Sequence, residues 1–273
     1  MVPVGALALV LASAFVHALW NVLFARASRG VAALAVTNVA GLAVWAPVAL
    51  ARWRIEAGAW PYLLVSAAFQ IYYLVVLRRA YLRAPAHTVY PVARGLGPVL
   101  VLVATTAGGA PVPWVAYPAV ALISAGVWLS ATGSVDRRVL AAAFPVAISA
   151  AAYPFVAGYG LRHADPAAYL WLSTAPLTVG TLAIALVTDR PGLRAALRPA
   201  TIATGAGMVA SGGLLMTALS MVEPGQVPAI AALRETGTLF VIPLSWLIDR
   251  TFTRAAAAGA VLVFAGAALL ALR

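Results

Sequence analysis

The sequence predicts an all-α integral membrane fold, with ten transmembrane helices arranged as two inverted five-helix repeats, and three features carry that prediction. Hydrophobic residues make up 64% of the 273-residue chain and charged residues only 9%, against roughly a quarter charged in a soluble domain. The apolar residues fall into runs near the ~20 residues that take a helix across about 30 Å of hydrocarbon. Residues 140 positions apart match one another, including two arginines set inside apolar runs.

Dividing the chain at its polar and proline-rich breaks gives spans at 3–25, 31–51, 60–80, 86–107, 113–133, 139–160, 167–188, 199–221, 226–248 and 254–272. The breaks at 26–30, 52–58, 136–138, 162–166 and 189–192 are short and carry eight of the eighteen arginines. Short connections make consecutive helices antiparallel neighbours. Backbone polar groups meet no water in lipid, so runs of this length cross as helices. Their many Ala and Gly residues suit close helix approach, where apolar burial gives little drive for association. The first run has no basic residue before it and many apolar runs after it, which reads as a membrane helix and not a cleaved leader.

At the offset of 140, Arg94 aligns with Arg234, Gly97 with Gly237, Val101 with Val241, Leu122 with Leu262, Ala125 with Ala265 and Gly126 with Gly266. Phe15 and Val16 align with Phe155 and Val156 at the same offset. The Arg and Gly matches weigh most, because apolar matches come easily in such a chain. The units are then 1–135 and 136–273. An odd number of helices per unit makes the second enter from the opposite side, and such inverted repeats place substrate near the membrane midplane.

Three stretches carry a family resemblance: ALWNVLFAR at 18–26, AYLRAPAHTVYP at 80–91, and LIDRTFTRAAAAGAVLVFAGAALL at 247–270. The chain resembles the ten-helix EamA-type members of the drug/metabolite transporter superfamily over its full length. The resemblance implies a secondary transporter in the cell (inner) membrane, and not an enzyme. Two positions depart from the family pattern. Gly109 stands where an acidic residue usually follows the fourth helix, and Glu235-Thr236-Gly237 stands where many members carry an apolar proline motif.

Candidate binding residues follow from cost. An ionised side chain at the centre of a membrane helix costs roughly 2.5–3.5 kcal/mol on insertion scales, so Arg94, Arg234 and Glu235 need a reason to be there. Guanidinium grips carboxylate or phosphate through paired donors, which predicts a central cavity taking an anionic group. Carriers of sugar phosphates in the superfamily resemble this in using basic residues on the corresponding helices. Adjacent helical residues point about 100° apart, so Glu235 cannot pair well with Arg234. It either neutralises Arg94 across a helix interface, leaving Arg234 for substrate, or takes up a proton and couples transport to the proton gradient. His17, Gln70 and Tyr90 are further substrate-binding candidates, with Trp20, Asn21, Tyr72, Tyr73 and Tyr153 behind them. Pro91, Gly95, Gly97 and Pro98 flank Arg94, and Pro228, Gly237 and Pro243 flank Arg234, as in the broken helices of transporters.

Cysteine is absent, which excludes thiolate chemistry and disulfides, and His17, His87 and His163 show no metal-ligand spacing. No metal or cofactor is expected. No Gly-rich Lys-Ser/Thr nucleotide loop occurs. The net charge of +11 comes from eighteen arginines against seven acids with no lysine, and its placement between apolar runs reads as orientation and headgroup contact, not nucleic-acid binding. The function expected is alternating-access transport of a small organic, anionic metabolite. The alternatives are export of amino acids or other amphoteric metabolites, and an intramembrane enzyme acting on a lipid-linked substrate, for which the seven scattered acids supply no recurring cluster. Odd-numbered connections hold twelve arginines and even connections with the termini hold four. The positive-inside rule then sets both termini outside, whereas the family resemblance implies termini in the cytoplasm. A C-terminal reporter that matures only in the cytoplasm stays dark under the arginine rule, and a bright fusion establishes the family arrangement instead.

Overall fold

The computed structural model describes residues 2–26, 30–129, 131, 135–240 and 254–271. Among them the regular structure is helical: α1 (Val4–Arg26), α2 (Val31–Ala51), α3 (Trp60–Arg83), α4 (Ala86–Ala107), α5 (Ala116–Leu129), α6 (Arg137–Gly160), α7 (Pro166–Thr188), α8 (Arg190–Ala196), α9 (Pro199–Ser220), α10 (Val227–Arg234) and α11 (Arg254–Ala271). Eight of these helices are long and apolar enough to cross a membrane. The chain is a multi-pass integral membrane protein.

Several helix starts are written in local chemistry. The carboxylates of Asp136, Asp165 and Asp189 accept from the amides of Val139 (2.8 Å), Ala167 (2.8 Å) and Gly192 (3.0 Å), capping α6, α7 and α8. Pro166 opens α7 where its missing N–H costs nothing.

Three elements differ from the sequence expectation. The span at 113–133 contains only the 14-residue α5, because Pro111 and Pro113 delay its start. The seven-residue α8 was not expected. It is too short to show a period, and its Leu193 and Ala196 pack on Ala33 and Val36 of α2. The span at 226–248 breaks: α10 stops after eight residues, and the amides of Glu235 and Thr236 donate three residues back, to Ala232 (2.9 Å) and Leu233 (3.1 Å). Helical conformation resumes at Gly237 and continues to Phe240. The expected remainder of that span, with Val241 and Pro243, lies outside the described residues, as do Arg29, Asp249, Arg250 and Arg273. Arg26 belongs to α1, and Arg78, Arg79 and Arg83 belong to α3.

Helix α10 lies at the centre. Every side chain from Val227 to Leu233 is buried, as expected of a helix that is apolar all round. Its neighbours are α1, α4, α5, α6, α9 and α11. Around it, Val10 of α1, Val101 of α4, Ile123 of α5 and Leu215 and Met216 of α9 join one core. A second core joins α3, α4 and α6 through Val76, Val89, Val92, Ala143 and Val146. Helix α4 touches both cores and is the most buried of the eight long spans. The two helices that carry the arginines are thus the two that other helices enclose.

Candidate functional site

Helix α4 is held in rotation by Trp128 of α5. The indole Nε1 donates to the carbonyl of Val92 (2.9 Å), and the ring lies against Gly95, where a Cβ would collide with it. Gly95 therefore lets α5 close on α4 next to Arg94. Pro91 and Pro98 stand three residues before and four after Arg94 and remove two backbone donors.

Arg94 lies eight residues into α4 and Arg234 seven residues into α10, which is roughly 10–12 Å along each axis. The two arginines lie on helices that pack against each other. Arg94 Nε lies 2.8 Å from Glu235 Oε2, with 17% and 8% of the two side chains exposed. The Arg94 guanidinium also sits over the Tyr90 ring, 5.7 Å from its centroid, a cation–π contact within the same helix. Glu235 thus faces α4 and Arg94, although Arg234 is its chain neighbour.

Arg234 has a different setting. Its Nη2 lies 3.3 Å from His17 Nδ1 of α1. Guanidinium only donates, so Nδ1 accepts and the ring proton sits on Nε2. His17 Nε2 and Arg234 Nε are both buried without a hydrogen-bond partner. Among the described residues no carboxylate lies within ion-pair distance of Arg234. Trp20 packs edge-on against His17, with centroids 5.0 Å apart. Tyr90 and Tyr153 of α6 lie within electrostatic range of Arg234, and Tyr73 of α3 within range of both arginines.

The structure therefore brings together Arg94, Arg234, Glu235, His17 and Tyr90, with Tyr73 and Tyr153 beside them. Gln70 makes its hydrogen bond to α7 and not to an arginine. The Gln70 amide donates to the carbonyl of Ser173 (3.0 Å), in a polar seam where Ser66 and Tyr169 hydroxyls meet at 2.7 Å. Gln70 ties α3 to α7. Asn21 donates back to the His17 carbonyl (2.7 Å) along α1, and Tyr72 is exposed on the outer surface. Trp128, which positions α4, escaped the sequence reading. A glycine beside a buried arginine was its one signal, and that signal does not say which side chain fills the space.

The model of the EamA-like transporter family matches residues 137–272. The chain belongs to the EamA-like transporter family. Membership places it in the drug/metabolite transporter superfamily and among membrane transporters. A protein of known crystal structure has a similar fold, at a TM-score of 0.75 and 17% identity, over 98% of this chain and 95% of that one. No curated protein matches.

Breaking the buried pair on one side leaves a charge without its partner, which costs on the order of 3–5 kcal/mol, while removing both partners costs far less. Glu235→Gln is expected to lower stability to unfolding in detergent by that order, and Arg94→Gln/Glu235→Gln to recover most of the loss. Additive effects of the two substitutions would show that the pair is not coupled.

Proposed function

We propose that this EamA-like protein is a secondary transporter that moves a small organic anion across the membrane by alternating access of two inverted five-helix units, 1–135 and 136–273. The observation that carries the proposal is Arg234: a guanidinium inside the bundle, without a carboxylate within ion-pair distance among the described residues, beside a break in its own helix and a neighbouring acid that faces Arg94 instead. A guanidinium in that setting lacks a counter-charge, and a bound anion supplies one. The helix break suits the role, because substrate sites of transporters sit where spanning helices are interrupted.

Packing supports the repeat. Setting α1–α5 against α6, α7, α9, α10 and α11 in order turns the α1–α9 contact into α6–α3, the α2–α9 contact into α7–α3 and the α1–α10 contact into α6–α4. The α2–α7, α4–α10 and α5–α11 contacts then map onto themselves, as a two-fold relation requires. At the α5–α11 contact Gly126 packs on the Gly259 backbone and Gly266 on the Ala119 carbonyl. These two contacts are the same contact shifted by 140 positions.

One end of the bundle is tied across the two units. Ile55 and Ala164 form an antiparallel bridge, the Glu56 amide donates to the His163 carbonyl (2.9 Å) and the Asp165 amide to the Arg54 carbonyl (2.8 Å). Arg52 pairs with Asp165 at 3.2 Å, an exposed contact worth little alone. In the proposed cycle these ties part when the units rock open at this end.

A thermal-shift screen against anionic and zwitterionic metabolites is expected to find ligands that stabilise the wild-type protein but not Arg234→Gln. A ligand that stabilises wild type and Arg234→Gln equally removes the Arg234 site. For the cycle, the chain contains no cysteine of its own, so Ile55→Cys/Ala164→Cys gives a clean cross-link across a bridge of suitable spacing. Oxidised, the variant is expected to lose uptake of the ligand into proteoliposomes, and reduction to restore it. Unchanged uptake with the cross-link formed would exclude opening at this end.

A further inference from the structure

Resting on the anion-carrier reading above, we infer that the site selects a substrate with one negative charge and no positive charge, a monocarboxylate with an aromatic or apolar body, over dianionic phosphate esters and zwitterionic amino acids.

The charge count comes first. Among the described residues the charged side chains at the centre are Arg94, Arg234 and Glu235, which sum to one positive charge. His17 adds none in this arrangement, because its Nδ1 accepts from Arg234. Opposite charges 4 Å apart interact by about 4 kcal/mol at an effective dielectric of 20, several times the value in water, so the net charge of the loaded site decides what is held there. One anionic charge brings the site to neutrality. A dianion leaves it negative by one. A zwitterion leaves it positive by one and brings an ammonium group that needs a carboxylate, and the one carboxylate at the site already faces Arg94 at 2.8 Å.

The donor count agrees. Two buried donors at Arg234 stand without partners, Arg234 Nε and His17 Nε2, and a carboxylate has two oxygens to accept them. Rings stand beside these charges: Trp20 against His17 and Tyr90 against Arg94, with Tyr73 and Tyr153 within electrostatic range of Arg234. Such rings suit an apolar or aromatic group whose single polar end is the carboxylate.

A matched series sharing one phenyl ring tests the count: phenylacetate, phenylacetamide, phenylalanine and phenyl phosphate, titrated against the detergent-purified full chain at pH 8 by thermal shift. Wild type is expected to bind phenylacetate at least tenfold more tightly than the other three, and Arg234→Gln to lose that binding. Arg94→Gln/Glu235→Gln keeps the charge at plus one without leaving half a pair, and it is expected to keep the wild-type order. Glu235→Gln raises the charge to plus two and is expected to shift the preference at least tenfold toward phenyl phosphate. Arg94→Gln lowers it to zero and is expected to abolish the preference for phenylacetate. Should either single variant not fold, the double variant and the wild-type order decide the matter. Wild-type preference for phenylalanine or phenyl phosphate, lost in Arg234→Gln, overturns the charge count and leaves the anion carrier standing. A changed order in the double variant likewise overturns it. Failure of all four to bind, or binding that Arg234→Gln leaves intact, overturns the anion site itself.

Discussion

The enclosure of two largely buried arginines and one buried glutamate between α4, α10 and α1 is the constraint to which the rest of the structure answers. Charged groups are expensive in a medium with little water, and the protein meets that expense in two unequal ways. Arg94 receives a full partner, with Glu235 Oε2 at 2.8 Å and the Tyr90 ring beneath it. Arg234 receives a single neutral nitrogen from His17 at 3.3 Å. The same residue type at matched places in the two halves is thus compensated in one half and under-compensated in the other. That asymmetry separates a structural arginine from one with free binding capacity.

The surrounding architecture keeps this arrangement in register. Trp128 reaches past Gly95 to a carbonyl of α4 and fixes which way Arg94 points. The break after Arg234 turns Glu235 and Thr236 out of the α-helical series, their amides donating three residues back. Gln70 and Tyr169 tie α3 to α7 with hydrogen bonds a few turns away. These ties are polar because apolar packing alone gives helices in lipid little preference for one neighbour over another. Each tie also joins a helix of the first half to one of the second or closes a neighbour onto α4.

Much of the site was legible in the sequence for one reason: charge inside an apolar run is conspicuous. Arg94, Arg234 and Glu235 announce themselves, and the 100° step between helical neighbours already argues that Glu235 looks toward another helix than Arg234 does. His17 and Tyr90 were legible as polar residues at depth, though with nothing to separate them from Gln70. The structure separates them, since His17 and Tyr90 touch the arginines while Gln70 spends its amide on a carbonyl of α7. A polar side chain within a helix has the same sequence signature in both cases.

What the sequence alone determined is the class of the molecule and the depth of its charges. Composition excludes a soluble domain, run length sets the helices, and the position of an arginine within a run sets how far it lies from water. What only the tertiary structure decided is partnership. Helix rotation and the break at Glu235 choose which guanidinium meets the carboxylate, and those depend on contacts between residues far apart in the chain, Trp128 with Val92 and His17 with Arg234. Run lengths are local properties and can be read along a line. Pairing at a buried site depends on sub-ångström placement of several helices at once, and no linear pattern encodes it.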